Sequence, residues 1–326
     1  MEEKKNLTGI VRAICISSLR GVEKRRVREG HFIAGFGIEG DAHGGNWHRQ
    51  VSLLSYDKIK AFNERGAKVE DGDFGENLVV EGLDFSGLPV GTQLYAGEAV
   101  LEMTQIGKEC HSHCAIYHRM GECIMPREGV FAQVLREGWI RPGDELRAEL
   151  PAPNRPFTAA VITVSDKGAR GERVDESGPA AKDMLEAAGY RVVESLVLPD
   201  GQEPLSSQLI RLADGRQVDL VVTSGGTGFS PRDQTPEATM AVAERVAPGI
   251  AEFIRMKSVE VTEGAMLGRG VSVIRKGTLI VNLPGSPKAV RESLGFILDA
   301  LGHGLKVLRG SVSECGRQEA DIGGRK

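Results

Sequence analysis

From about residue 8 to 150, apolar residues come in short runs, rich in β-branched side chains and bounded by glycine or other turn residues. The runs are "GIVRAICISS", "RQVSLLS", "ENLVV", "TQLYAG" and "AVLEMTQIG", a pattern that predicts strands. One segment has a different period: "YDKIKAFNERG" places Ile59 and Phe62 at helical spacing and stops at Gly66, which predicts a helix. Many short strands with few helices predict a mainly-β barrel, closed or nearly so, over residues 1–150.

The stretch "LPAPNRPF" is rich in proline and reads as a linker at 151–156. Beyond it the pattern alternates. "AAVITVS" is a continuous apolar run, "SGPAAKDMLEAAG" has a helical period, and "YRVVESLVLPD" is again strand-like. "EPLSSQLIRLAD" then predicts a helix and "VDLVVTSGG" a buried strand. This alternation predicts an α/β three-layer domain over 157–310, with a mostly parallel sheet between helices. In the closing helix, Ser286 is the expected cap, Pro287 the first position, and Val290, Leu294, Ile297 and Leu301 the buried face. Residues 311–326 carry no apolar period and read as a flexible tail. The halves share no internal repeat, so the fold class expected is multidomain.

Composition sharpens this picture little. A 326-residue chain with 40% hydrophobic and 26% charged residues is ordinary for a globular protein of two domains. The net charge of -4 and pI of 6.0 argue against general nucleic-acid binding. "MEEKKNLTGI" has no apolar core of the secretory type, and no apolar run approaches the length of a membrane span. Five cysteines, three of them close together, suit a reducing compartment better than a disulfide frame. These features point to a cytoplasmic protein.

Candidate chemistry begins at "TSGGTGFSPRDQT". Following a buried parallel strand, Ser224, Gly225, Gly226, Thr227 and Gly228 fall at the strand's carboxyl end, where open α/β sheets bind ligands. Glycines let backbone N–H groups face an anion unobstructed. The stretch lacks the Gly-Lys-Ser/Thr of a Walker loop, and Pro231 stands where a dinucleotide fingerprint needs glycine. Arg232 and Asp233 follow, then Thr235-Pro236-Glu237, expected to open a helix with Thr235 as its cap. Asp200, in "LPDGQ", ends the preceding strand, and the strand-end rule brings it to the same rim as Asp233. Two hard carboxylates beside a phosphate cradle suit Mg²⁺. Taken singly, Asp200 is better explained as a turn residue and Asp233 as a helix-end residue; at matching strand ends the pair favours a metal site. "NLPGSPKA" places Gly285, Ser286 and Lys288 at a second helix start, either an anion site or plain punctuation. Arg232 and Lys288 are candidates to offset phosphate charge.

"AAVITVSDKG", "DESGP", "LPD", "TSGGTGFSPRDQTPEAT" and "GVSVIRKGTLIVNLPGSPKAVRESL" stand in the order found in the molybdopterin adenylyltransferase family, which residues 157–309 resemble. The resemblance implies transfer of AMP from Mg·ATP to the terminal phosphate of molybdopterin, release of pyrophosphate, and a homotrimer. By position, it implies that Asp200 and Asp233 are the essential, metal-holding acids. It further implies that Ser224 to Gly228 form the phosphate loop, that Gly285, Ser286 and Pro287 form a second loop, and that Asp175 and Ser177 line the same site.

The first half has its own cluster, "GKECHSHCAIYHRMGEC", containing Cys110, His111, His113, Cys114, His118 and Cys123. Thiolates and imidazoles are zinc ligands, and a thiolate near imidazole is also a nucleophile; Cys15 and Cys123 read as buried, inert thiols. "GIEGDAHGGNWHRQVSLLS", "GDFGENLVVEGLDFSGLPVGTQL" and "LEMTQIGKECH" resemble the MOSC domain over residues 8–148. That resemblance implies a β-barrel that binds molybdenum cofactor, with Cys110 as a sulfur carrier and Asp41, His43, Arg49, Gln50 and Asn77 around its pocket. The additional His111, His113 and Cys114 leave both a metal and a choice of thiol open. Together the halves point to a bifunctional protein of molybdenum cofactor biosynthesis, partnered by other biosynthetic or molybdoenzyme proteins. The alternatives are a non-catalytic pterin-binding scaffold and another nucleotide-handling enzyme on the same fold, such as an amidohydrolase of nicotinamide nucleotides.

Overall fold

The computed structural model describes residues 7–108 and 114–310. It divides into two compact units whose main boundary falls between Ala152 and Pro153. The expected tail at 311–326 lies outside the described residues.

The first unit is built from β1 (Thr8–Ile16), β2 (Arg25–Val27), β3 (Gly30–Ile33), β4 (Gly37–Ile38), β5 (Val51–Ser55), β6 (Leu78–Glu81), β7 (Gln93–Ala96), β8 (Ala99–Ile106), β9 (Val130–Arg136), β10 (Gly138–Ile140) and β11 (Glu145–Glu149). Among the described residues, strands run β11-β7-β8-β9-β5-β6-β1, and β11 pairs back onto β1. The seven strands therefore close into a barrel, which leaves no open edge to pair with another chain. β2 extends β1, while β3, β4 and β10 form a small separate sheet.

A register shift between Val11 and Ala13 redirects β1. Val11 and Ile14 pack inside the barrel, whereas Ala13 and Cys15 join an outer cluster with Ile59 and Phe62 of α1 (Tyr56–Glu64). An extra residue in one strand changes which side chains face the core. Helix α1 ends as its sequence predicts, with Gly66 at φ 95°. Two further helices, α2 (Ala115–Met120) and α3 (Met125–Glu128), are too short to show a period.

The second unit contains β12 (Thr158–Val164), β13 (Arg191–Leu198), β14 (Leu220–Ser224), β15 (Arg245–Val246), β16 (Ser272–Arg275) and β17 (Thr278–Leu283). Their order is β13-β12-β14-β17-β16-β15. The first four are parallel and the last two antiparallel. The helices are α4 (Asp166–Ala169), α5 (Ser177–Ala187), α6 (Gln202–Ile210), α7 (Thr235–Ala241), α8 (Pro248–Val259) and α9 (Pro287–Leu308). β12, β14 and β17 are buried along their whole length, as strands covered on both faces must be. One core packs the sheet against α5, α8 and α9, and the other packs it against α6 and α7, giving three layers. Ser286 caps α9 by accepting from Ala289 N–H at 3.2 Å. Thr235 does not cap α7. Gln234 occupies that position, and the Thr235 hydroxyl donates instead to the Gly225 carbonyl at 2.9 Å. Among the described residues no helix is long and apolar enough to cross a membrane.

Leu294 on α9 is fully buried in the first of these cores. Leu294→Ala is expected to destabilise this unit by about 2–5 kcal/mol, read as a lowered urea midpoint.

Candidate functional site

The carboxyl ends of β12, β13, β14 and β17 converge on one rim of the second unit, and the glycine turn leaves β14 there. Gly225 and Gly226 have φ of +95° and +63°, a region L side chains rarely adopt. A Cβ on Gly225 would stand 2.4 Å from the Val164 carbonyl oxygen, and one on Gly226 would stand 2.3 Å from Thr235 Oγ1. The turn thus lies against β12 and α7 more closely than any side chain permits. Arg269 holds its far half. Its backbone N–H donates to Thr227 O at 3.0 Å and its Nε to Gly228 O at 2.7 Å. Its remaining guanidinium nitrogens reach Asp233 O and Glu237, and this cation keeps the Glu237 carboxyl below the usual range. Arg269 sits in no motif, so the chain pattern carried no signal for it.

Asp200 and Asp233 occupy loops that are tied together. Asp200 Oδ2 accepts from Asp166 N–H at 3.2 Å, and Asp200 N–H donates to Asp166 Oδ1 at 3.0 Å. Asp166 Oδ2 in turn holds Arg232 Nη1 at 2.8 Å. Gln202 N–H donates to Gln234 Oε1 at 3.1 Å, a second tie across the same gap. Asp233 Oδ2 accepts from Ser230 N–H at 3.1 Å. Among the described residues no group of three His, Cys, Asp or Glu side chains forms a metal cluster. Two hard carboxylates beside a glycine cradle fit a Mg²⁺ completed by phosphate oxygens and water, the usual coordination of that ion.

The second loop closes against the first: a Cβ on Gly285 would lie 3.2 Å from Gly225 Cα. Ser177 Oγ donates to Gly285 O at 2.8 Å. Between these loops is a recess of about 330 Å³, whose lining includes Ser165, Asp175, Ser177, Ser224, Ser286 and Pro287. Asp175 is itself fully engaged, accepting from Thr163 Oγ1 at 2.9 Å and from the N–H groups of Ser177 and Gly178 at 3.0 Å. Thr227 and Gly228 line a separate, largely apolar recess of about 410 Å³, with Phe229, Ile254, Leu267 and Pro284. Lys288 stands apart, 79% exposed and 3.7 Å from Glu292.

In the first unit, Asp41 is buried and held by both oxygens to Lys24 Nζ, at 2.9 and 2.8 Å. Burial drives its carboxyl up, but the hydrogen bonds from His43 and Lys24 and the ammonium charge outweigh this and leave it well below the usual range. Gln50 accepts from Val134 N–H at 2.9 Å. Asn77 accepts from Ser52 N–H at 3.1 Å and donates to Cys15 O at 3.0 Å. Arg49 lies over the Trp47 and Phe131 rings. Asp41, His43, Arg49 and Gln50 lie on the one loop between β4 and β5, which Asp41 and Gln50 brace, whereas the Asn77 side chain ties β5 to β1. Lys24 was not legible as a partner, and beside it a cavity of about 880 Å³ opens between Ser17, Arg26 and Asp71. Cys110, His111 and His113 lie outside the described residues. Cys114 is exposed, and Cys123 is partly buried. Cys15 is buried, its thiol pushed up to about 12 by burial and by the charges of Glu76 and Asp71, so it is inert at neutral pH.

Glu76 is fully buried. Burial pushes its carboxyl up to about 7 from 4.5, against the lowering effect of N–H donors from Gly72 and Phe74. The folded state therefore holds a proton that the unfolded chain has released. That stabilisation is complete below the unfolded value and is lost as pH rises through the folded one. Across about pH 5 to 8 the wild-type unfolding midpoint is expected to fall more than that of Glu76→Gln. Equal slopes in thermal melts at both pH values would exclude Glu76 as the source.

Residues 160–303 match the family model described as a probable molybdopterin binding domain, and residues 39–147 match the MOSC domain model. Molybdopterin adenylyltransferase of Escherichia coli K12 is 40% identical over 145 residues, covering 44% of this chain and 74% of that protein. Its namesake in Helicobacter pylori 26695 is 37% identical over 156 residues, covering 47% and 89% respectively. The Drosophila melanogaster molybdenum cofactor synthesis protein cinnamon is 34% identical over 169 residues, which span 52% of this chain and 28% of that one. Among solved structures, a molybdopterin biosynthesis enzyme of Thermus thermophilus shares 44% identity, covering 47% of this chain and 97% of that chain, at a TM-score of 0.46. By its second unit the chain belongs to the molybdopterin-binding domain family, carried here on one polypeptide with a MOSC domain.

Proposed function

We propose that the protein acts in molybdenum cofactor biosynthesis, with its second unit a nucleotidyltransferase that adenylylates molybdopterin from Mg·ATP. The observation that carries this reading is the convergence on one rim of the glycine turn, the 284–287 loop and the tied loops of Asp200 and Asp233. Relatives named molybdopterin adenylyltransferase, matched over most of their length, support the same chemistry.

The terminal phosphate oxygen of molybdopterin attacks the α-phosphorus of ATP. One P–O bond forms as the bond to the β-phosphate's bridging oxygen breaks, and pyrophosphate leaves with that electron pair. The attacking phosphate is already ionised, so no side chain has to remove a proton. Positioning and charge neutralisation are then the main tasks. In the loop of Ser224 to Gly228 the N–H groups of Gly226, Thr227 and Gly228, and in the loop of Gly285, Ser286 and Pro287 those of Gly285 and Ser286, hold phosphate oxygens, with Asp175 and Ser177 bracing the wall between them. Arg232, beside the acids, offsets phosphate charge. Asp200 and Asp233 are the residues to hold Mg²⁺, which supplies neutralisation of the developing charge. Met256, Val261, Met266 and Leu267, on and just after α8, are exposed on this unit and are apolar side chains suited to burial in a homotrimer.

Asp200→Asn and Asp233→Asn are each expected to lower AMP transfer about 10²- to 10³-fold while molybdopterin binding persists. The measurement is pyrophosphate release together with detection of the adenylylated pterin. Wild-type turnover in either variant would exclude that acid from the site.

The first unit, by its MOSC domain, binds the molybdenum cofactor or a precursor, with Asp41, His43, Arg49, Gln50 and Asn77 as pocket residues and Cys110 as sulfur carrier. Thiol trapping is expected to label Cys110 faster than Cys114, and Cys110→Ala to abolish protein-bound sulfur. Retention of that sulfur in the variant would transfer the role to another thiol.

A further inference from the structure

Asp200 occupies the loop between β13 and α6. Pro199 precedes it, and Gly201 follows at φ +143°, a conformation open to glycine that side chains rarely adopt. One neighbour meets both its backbone and its carboxylate: Asp166, which gives its N–H to Asp200 Oδ2 and takes the Asp200 N–H on Oδ1. Its other oxygen holds Arg232, the residue next to Asp233. An acid in a helix's first turn is commonly explained by the helix dipole. Here α4 is a single turn, capped by Ser165 Oγ on Gly168 N–H. Both oxygens of Asp166 are directed away from α4, across to two other loops.

We propose that Asp166 is a positioning residue of this site. It aims the Asp200 carboxylate at the shared cation and keeps Arg232 beside the acids. This rests on the proposed adenylyltransferase reading, in which Asp200 is a metal ligand. With Asp166 N–H occupying Asp200 Oδ2, Oδ1 is the oxygen left for a divalent ion. Removing the Asp166 side chain frees the Asp200 backbone, and a shift of about 1 Å in such a group is enough to cost about a hundredfold in rate.

The test uses the full-length chain and Mn²⁺ as the probe, titrated in the presence of ATP and followed by the paramagnetic resonance of the free ion. Asp166→Ala is expected to weaken Mn²⁺ binding about tenfold and lower kcat about 10- to 100-fold, with KM for molybdopterin within about threefold. Asp166→Asn keeps a carbonyl oxygen for the Asp200 N–H, so its Mn²⁺ affinity is expected to return to within about threefold of wild type. A purely structural role would lower the melting temperature and leave Mn²⁺ affinity unchanged. The proposal is overturned if Asp166→Ala binds Mn²⁺ like wild type, or if Asp166→Asn is as weak as Asp166→Ala. A wild-type protein that transfers no AMP, yet loses Mn²⁺ affinity on Asp166→Ala, overturns the adenylyltransferase reading and keeps the positioning role. A wild-type protein that binds no Mn²⁺ overturns both.

Discussion

The site of the second unit depends on a contact between bare backbones. As the chain leaves β14, Gly225 passes so close to β12 that a Cβ would meet the Val164 carbonyl oxygen at 2.4 Å. Gly285, arriving from β17, lies against Gly225 itself. At Gly225 only a residue without a Cβ fits this space, and at Gly285 a Cβ would press on Gly225. The close approach also fixes where the N–H groups of the turn are carried, and it puts Thr235 where its hydroxyl ties the turn to α7. Arg269 then holds the outer half by its carbonyls.

Charge is used in two distinct ways in this protein. Some carboxylates are buried and fully engaged. Asp41 is held by Lys24, and Asp71 by Arg12 and Arg26. Asp219 is held by Arg155, Arg309 and the Thr158 N–H, which ties the end of α9 to the start of β12. These pairs satisfy one another, and breaking one would strand a buried charge. The acids at the rim are arranged differently. Asp200 and Asp166 hold each other by single hydrogen bonds from backbone N–H groups, and Arg232 is 74% exposed. Such an arrangement leaves lone pairs and a cation available to a ligand.

The two units fold around separate cores of different architecture, a closed antiparallel-rich barrel and a three-layer sandwich. The first matches the MOSC domain model and the second the model of a probable molybdopterin binding domain. Carrying both on a single chain keeps them in equal amounts.

Much of this could be read along the chain, and the division follows the range of the forces involved. Local patterning determined β1, β5, β6, β7 and β8 of the first unit and β12, β13 and β14 of the second, helix α1 with Ile59 and Phe62 inward, the cap and buried face of α9, and the position of the glycine turn after a buried strand. Each of these depends on periodicity or on the backbone preferences of a few adjacent residues. Short elements such as β15, α2 and α3 span too few residues to show a period. Barrel closure through β1 and β11, the bulge that turns Cys15 out of the barrel, and the partnership of Lys24 with Asp41 join residues distant in sequence. Thr235 looked like a cap because threonine favours that position, yet the carbonyl of Gly225 offered its hydroxyl a partner that only the folded sheet brings near. Arg269 and Asp166 were unreadable for the same reason: a side chain's hydrogen-bond partners across a sheet are set by strand order, and strand order is decided by packing of the whole domain.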